Sequence, residues 1–170
     1  EKYHQLLGEE AEAFFQTFDE PAVSAYRTNP LKAEQIRGDE PIPGMPWSYY
    51  GKVSGKSIAH VTGVVYSQEP AAQMVAQVAQ PSPGMKVLDL AAAPGGKTTH
   101  LLSYLENQGL LVSTEIHKGR SKILVENVER FGSRTVVVTN ESADRLAKVF
   151  PSYCILIVLK APSSGKGIFR

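Results

Sequence analysis

Four short apolar runs, at residues 85 to 90, 110 to 114, 135 to 139 and 155 to 159, are each followed or preceded by a segment with helical spacing. A strand that is apolar at nearly every position needs cover on both faces, which parallel sheets provide. The alternation therefore predicts an α/β domain built on a parallel sheet. The connecting helices are expected from a glycine-rich turn to about Asn107, from about Lys118 to Phe131, and from a Ser142 cap to near Phe150. Gly132 is placed to close the second of them as its C′ residue. An earlier helix is expected to begin at Pro70, whose ring suits a first turn, and to run to about Gln80 before Pro81-Ser82-Pro83-Gly84 breaks it.

Upstream the pattern changes. Tyr3, Leu6, Leu7, Ala11, Phe14, Phe15 and Phe18 recur at helical spacing and predict one amphipathic helix near residues 3 to 18, ended by Asp19-Glu20-Pro21. A short strand is expected from Ala22 to Tyr26 and a short helix from Leu31 to Ile36. Residues 38 to 56 carry Gly38, Pro41, Pro43, Gly44, Pro46, Gly51 and Gly55, and read as a loop and a candidate boundary.

Composition narrows the class. The 170 residues are 42% hydrophobic, enough for a core. No apolar run approaches the roughly 20 residues of a membrane span, and the start of the chain lacks a signal-peptide pattern. One cysteine, Cys154, excludes an intrachain disulfide and a cysteine-based zinc site. His4, His60, His100 and His117 lack ligand spacing, so no metal is expected. These features point to a soluble cytoplasmic protein with no membrane partner. A net charge of +1 argues against nucleic-acid binding by bulk charge, but a local basic groove is invisible in a sum.

The strongest chemical signal follows the first apolar strand: Val87-Leu88-Asp89-Leu90, then Ala91-Ala92-Ala93-Pro94-Gly95-Gly96-Lys97-Thr98. Small residues let a ligand approach the backbone, and free amides at a helix start favour an anionic group. Gly96-Lys97-Thr98 fits the end of a phosphate-binding P-loop, but Ala91 stands where that motif needs its first glycine. Glu115, at the end of the second strand, is placed to accept hydrogen bonds from both ribose hydroxyls of a nucleoside cofactor. Each feature alone is weak, since a tight turn or a surface glutamate needs no ligand. Together they point to a nucleoside cofactor.

At these residues the chain resembles the Sun (Fmu) type of RNA cytosine-C5 methyltransferase, and is most similar to its bacterial ribosomal RNA members. The resemblance rests on Val87 to Thr99, on Tyr66-Ser67-Gln68-Glu69-Pro70-Ala71-Ala72, on Glu126-Asn127-Val128-Glu129-Arg130-Phe131-Gly132, and on the closing Ala161 to Arg170. It implies a class I (Rossmann-like) methyltransferase domain over residues 65 to 170, truncated after the fourth of the usual seven strands. A small α/β region that guides RNA would precede it over residues 1 to 64. It implies S-adenosyl-L-methionine as cofactor and RNA, ribosomal by closeness of match, as partner. By the same resemblance Ala91, Ala92, Ala93, Pro94, Gly95, Gly96 and Lys97 wrap the cofactor and Glu115 holds its ribose. Ser142, or neighbouring Asn140, stands near the adenine. Arg27 and Lys32 fall where family members present basic residues to RNA, although a solvated surface charge is an equal reading.

The family's chemistry uses a cysteine thiolate that adds to cytosine carbon 6, so that carbon 5 can take a methyl group. This chain departs from that pattern. Lys160 stands at the family's aspartate, Ser163 at its first cysteine, Lys166 at its glutamate and Ile155 at its acid before the fourth strand. The attacking cysteine of the family falls beyond Arg170. Cys154 lies in an apolar stretch, where a free cysteine is usually an inert core residue. No catalytic residue is therefore carried over intact. Three readings follow: the front part of an RNA methyltransferase, a non-catalytic cofactor- or RNA-binding module derived from one, and a P-loop-like nucleotide binder disfavoured by Ala91.

Overall fold

A computed structural model describes residues 2 to 19, 21 to 33 and 36 to 160. Contacts divide the chain into a main unit, Ser24–Pro162, and a smaller one that carries the N-terminal helices.

In the smaller unit the single helix expected over residues 3 to 18 is two, α1 (Lys2–Leu7) and α2 (Ala11–Gln16), separated by a 3-10 turn at Gly8–Glu10. Gly8 takes a φ of +54°, which breaks the α-helical run that the apolar spacing suggests. Tyr3, Phe14, Phe15 and Phe18 form one ring cluster, with Phe14 and Phe18 edge-to-face at 5.2 Å.

The main unit opens with β1 (Ala25–Thr28), which is displaced toward the C-terminus from the expected strand. It pairs antiparallel with β2 (Ser48–Tyr50) on one side and, past α3 (Ile58–Val61), with β3 (Val65–Ser67) on the other. β2 lies inside the stretch read as loop. The helix expected from Leu31 to Ile36 is absent at Leu31–Ala33, and residues 34 and 35 lie outside the described residues. Asn29 explains the loss: its Oδ1 accepts the Leu31 amide at 2.9 Å, a local turn that competes with helix.

Then come α4 (Pro70–Ala79), β4 (Lys86–Leu90), α5 (Gly96–Leu105), β5 (Leu110–Thr114), α6 (Lys118–Phe131), β6 (Val136–Thr139), α7 (Ala143–Val149) and β7 (Leu156–Leu159). The four strands form a parallel sheet in the order β6-β5-β4-β7, as the alternation predicts. Gly132 closes α6 with a φ of +83°, the C′ role read from sequence. Val87, Leu111 and Val158 of the sheet pack with Ala76, Leu101, Leu102, Leu105 and Phe131 into one core. Burial on both faces holds for the inner strands only; Val137, Ile157 and Leu159 are exposed among the described residues. Cys154 precedes β7 rather than lying within it. Among the described residues no helix is long and apolar enough to cross a membrane.

In register, Leu90 stands opposite both Thr114 and Leu159. The carboxyl ends of β4, β5 and β7 therefore finish level, and Ala91, Glu115 and Lys160 follow them side by side.

Candidate functional site

The turn from Ala91 to Gly95 leaves β4 with Ala91 at a φ of +55°, in the left-handed region that a non-glycine residue seldom adopts. Gly95 takes a φ of +120° and caps α5. A Cβ at Gly96 would meet Gln68 Nε2 at 2.8 Å, so a larger residue there would displace the Gln68 side chain.

Nearly every carbonyl of this turn is held by a side-chain donor. Lys97 Nζ donates to Ala91 O at 2.8 Å, Arg120 Nη2 to Ala93 O at 2.8 Å, and Asn127 Nδ2 to Pro94 O at 2.6 Å. Thr99 Oγ1 donates to Gly95 O at 2.8 Å, and Arg27 Nη2 to Gly96 O at 3.0 Å. Ala92 and Ala93 pack against Leu124 and Val128 of α6. Carbonyl oxygens fixed toward the protein leave the amides at the start of α5, which have no partner within the helix, as the polar groups of the turn that can face a ligand. Such a cluster of amides suits an anion.

Lys97 does not extend into open space. Its side chain is buried, with Nζ 3.2 Å from Asp89 Oδ1. Thr98 Oγ1 donates to Asp89 Oδ2 at 2.7 Å and lies 3.0 Å from Ser113 Oγ. Lys97 thus braces the turn from beneath through its ion pair and its bond to Ala91. A P-loop lysine has to reach phosphates, and this one is committed elsewhere.

Glu115 is 2% exposed. Its Oε1 accepts the His117 amide at 3.0 Å; its Oε2 has no hydrogen bond and stands 3.6 Å from Arg120 Nη1. Asn140 Nδ2 donates to the carbonyls of Glu115, at 2.6 Å, and Ile116, at 3.0 Å, and so fixes the backbone on which the carboxylate hangs. Ser142 accepts the Arg145 amide at 3.3 Å as the cap of α7. Ala91, Glu115, His117, Arg120, Glu141 and Ser142 line one cleft of about 270 Å³.

The structure therefore brings Ala91, Glu115 and Ser142 to one cleft, whose lining does not include Ala92, Ala93, Pro94, Gly95, Gly96 or Lys97, and sets exposed Lys160 next to Ala91 at the end of β7. Ser163 and Lys166 lie outside the described residues. Cys154 lines a different cleft, apolar and of about 290 Å³, with Leu88, Leu146 and Ile157. It precedes the amino end of β7, remote from the turn, and burial raises its thiol pKa despite the opposing charge of Lys86.

Arg27 departs from its sequence reading. It is 1% exposed and presents nothing to a surface. Asp89, Arg120 and Asn127 went unassigned from sequence. Only the run Glu126 to Gly132 held a trace of Asn127's role, and nothing local to it reveals that Asn127 reaches Pro94.

The family model described as 16S rRNA methyltransferase RsmB/F matches residues 76–170, more than half of the chain. The chain belongs to the RsmB/F methyltransferase family. The model for the N-terminal domain of 16S rRNA methyltransferase RsmF matches residues 1–70. Among RsmB/F relatives, ribosomal RNA small subunit methyltransferase F of Shewanella loihica is 33% identical over 141 residues, covering 77% of this chain and 29% of its own length. A tRNA (cytosine(49)-C(5))-methyltransferase of Pyrococcus abyssi is 29% identical and covers 100% of this chain and 58% of its own length. A solved methyltransferase homolog from Pyrococcus horikoshii superposes with a TM-score of 0.74 at 25% identity, covering 86% of this chain and 53% of that one. The chain thus spans less than two thirds of each of these relatives.

Proposed function

We propose that this chain is the N-terminal and cofactor-binding part of an S-adenosylmethionine-dependent RNA cytosine-C5 methyltransferase, acting on ribosomal RNA in the cytoplasm. The observation that carries the reading is Glu115, a buried carboxylate with one oxygen free of hydrogen bonds, beside a turn whose carbonyls are held away. A buried acceptor without a donor is costly unless a ligand supplies one. A ribose diol supplies two hydroxyls, and the amides of Gly96 and Lys97 suit the carboxylate of the cofactor's amino-acid end. Bound there, S-adenosylmethionine supplies an electrophilic methyl group.

In this reading Ala91 to Lys97 wrap the cofactor, with Lys97 bracing the turn, Glu115 orients the ribose, and Ser142 borders the adenine. Residues 1 to 64 guide the RNA and residues 65 to 170 hold the cofactor. The RNA methyltransferase names of the relatives, for ribosomal RNA and for tRNA, support RNA as the substrate class. Ser163 stands at the family's first cysteine, and this departure is the observation behind the second reading, a non-catalytic cofactor module.

Titration calorimetry of the chain with S-adenosylhomocysteine and with ATP tests the proposal. Binding of the thioether and not of ATP is the expected result. ATP binding, or binding of neither, overturns it.

A further inference from the structure

Arg27 is a fully buried cation that has no carboxylate partner among the described ion pairs. It sits on β1, in the small antiparallel sheet, yet it donates to three groups near the turn. Nε reaches Gln68 Oε1 at 2.8 Å, and Nη2 reaches Gly96 O at 3.0 Å and Thr99 Oγ1 at 2.8 Å. Its guanidinium lies 5.3 Å from the Tyr66 ring centre. Burial lowers its pKa to about 10, partly offset by Tyr66 and Tyr104, so it remains charged at neutral pH.

A buried charge without a counter-charge costs stability, and hydrophobic replacements often fold as well or better. Stability alone is thus a poor account of this arginine. Its contacts have one common effect. Thr99 Oγ1, which accepts from Arg27, donates to Gly95 O. Arg27 therefore fixes two successive carbonyls, Gly96 directly and Gly95 through Thr99, at the point where the amides of α5 open. A planar fork with several donors suits this task, and a lysine cannot reproduce it.

We infer that Arg27 is a positioning residue for the cofactor turn, by which the β2-β1-β3 sheet sets the direction of the amides at the start of α5. The inference rests on the proposed cofactor site. It makes the pose of the bound cofactor depend on a sheet that lies outside the four-stranded sheet carrying the site.

The test uses the full chain, with Arg27→Lys, Thr99→Val and the double variant, at a temperature where each is folded by circular dichroism. S-adenosylhomocysteine affinity is measured by calorimetry, and amide hydrogen exchange is measured on the ligand-free chain. Arg27→Lys is expected to weaken binding by about tenfold, the scale of one lost charge-assisted hydrogen bond. Thr99→Val is expected to lose less, and the double variant no more than Arg27→Lys alone, because the two act in series. Exchange should rise at residues 96 to 99 above the rest of α5. Unchanged affinity in folded Arg27→Lys, or losses that multiply in the double variant, would overturn the inference. If Arg27→Lys does not fold, Thr99→Val decides alone: weakened binding supports the inference and unchanged binding overturns it. If the unaltered chain binds no S-adenosylhomocysteine, the cofactor reading fails. Exchange at 96 to 99 then decides whether Arg27 positions the turn.

Discussion

Lys97 Nζ stands 3.2 Å from Asp89 Oδ1, with Asp89 0% and Lys97 8% exposed. The pair joins the end of β4 to the first turn of α5 beneath the turn that connects them. Removing one partner leaves the other charge uncompensated in the interior. Lys97→Met is expected to destabilise the chain by about 3–5 kcal/mol at neutral pH, the range for a broken buried pair. Denaturant unfolding of both proteins measures this. A loss below about 1 kcal/mol would place the pair with exposed, weak ones.

Asp89 also gives the fold a pH dependence. Burial raises its carboxyl pKa above the ordinary aspartate value, against the lowering pull of Lys97 and Thr98. An acid whose folded pKa is raised holds its proton more tightly when folded. Its contribution to stability is complete below the ordinary value and is lost as pH rises through the raised one. The thermal midpoint of the unaltered chain, minus that of Asp89→Asn, should therefore fall as pH rises from the ordinary aspartate value through the raised one. A constant or rising difference would show that the Lys97 charge outweighs burial.

Glu115→Ala removes the buried acceptor at the carboxyl end of β5. Cofactor affinity is expected to weaken by roughly 1 to 3 kcal/mol, the scale of a lost charged acceptor. Calorimetry with S-adenosylhomocysteine reads it, and an unchanged affinity would count against the ribose assignment. Because Arg120 also holds Ala93 O, some of the loss will come through the turn. Arg120→Lys, which keeps the charge, separates the two routes.

The 170-residue chain is expected to transfer no methyl group. Its one cysteine precedes the wrong end of β7, and burial raises its thiol pKa, which keeps it protonated at neutral pH. Tritiated S-adenosylmethionine and ribosomal RNA at high protein concentration provide the assay. Cytosine-C5 product above a control without protein would refute the requirement for a thiolate.

Lys160 follows Leu159, which stands opposite Leu90, so its backbone lies beside Ala91. A cation there disfavours a sulfonium relative to a neutral thioether. Lys160 is exposed and its stem flexible, so much of the repulsion is screened. Lys160→Asp is expected to tighten S-adenosylmethionine binding over that of S-adenosylhomocysteine by about twofold to fivefold, a modest change in keeping with screened surface charge. Equal changes for both ligands would mean that residue 160 does not face the cofactor.

The sequence by itself determined the parts that depend on neighbours along the chain. The apolar runs specified the four parallel strands, Gly132 the end of α6, Ser142 the start of α7, and the small residues after Leu90 the tight turn into α5. Glu115 was legible because strand length and register carry it to the same end as that turn. Tertiary structure decided the rest. Ser48–Tyr50 lies within a stretch read as loop from its glycines and prolines, and becomes a strand because β1 offers its two tyrosines a partner distant in sequence. Leu31 reads as the start of a helix and turns instead, because the Asn29 side chain takes its amide. Arg27 reads as surface charge and is buried, since Gln68, Gly96 and Thr99 converge on it only once the two sheets have formed. Lys97 reads as one of the residues that wrap a cofactor, and its side chain is held by Asp89 and Ala91. Hydrophobic period and turn chemistry are local and can be read along the chain. The partner of a buried charge is set by contacts between residues far apart in sequence, and only the folded chain brings them together.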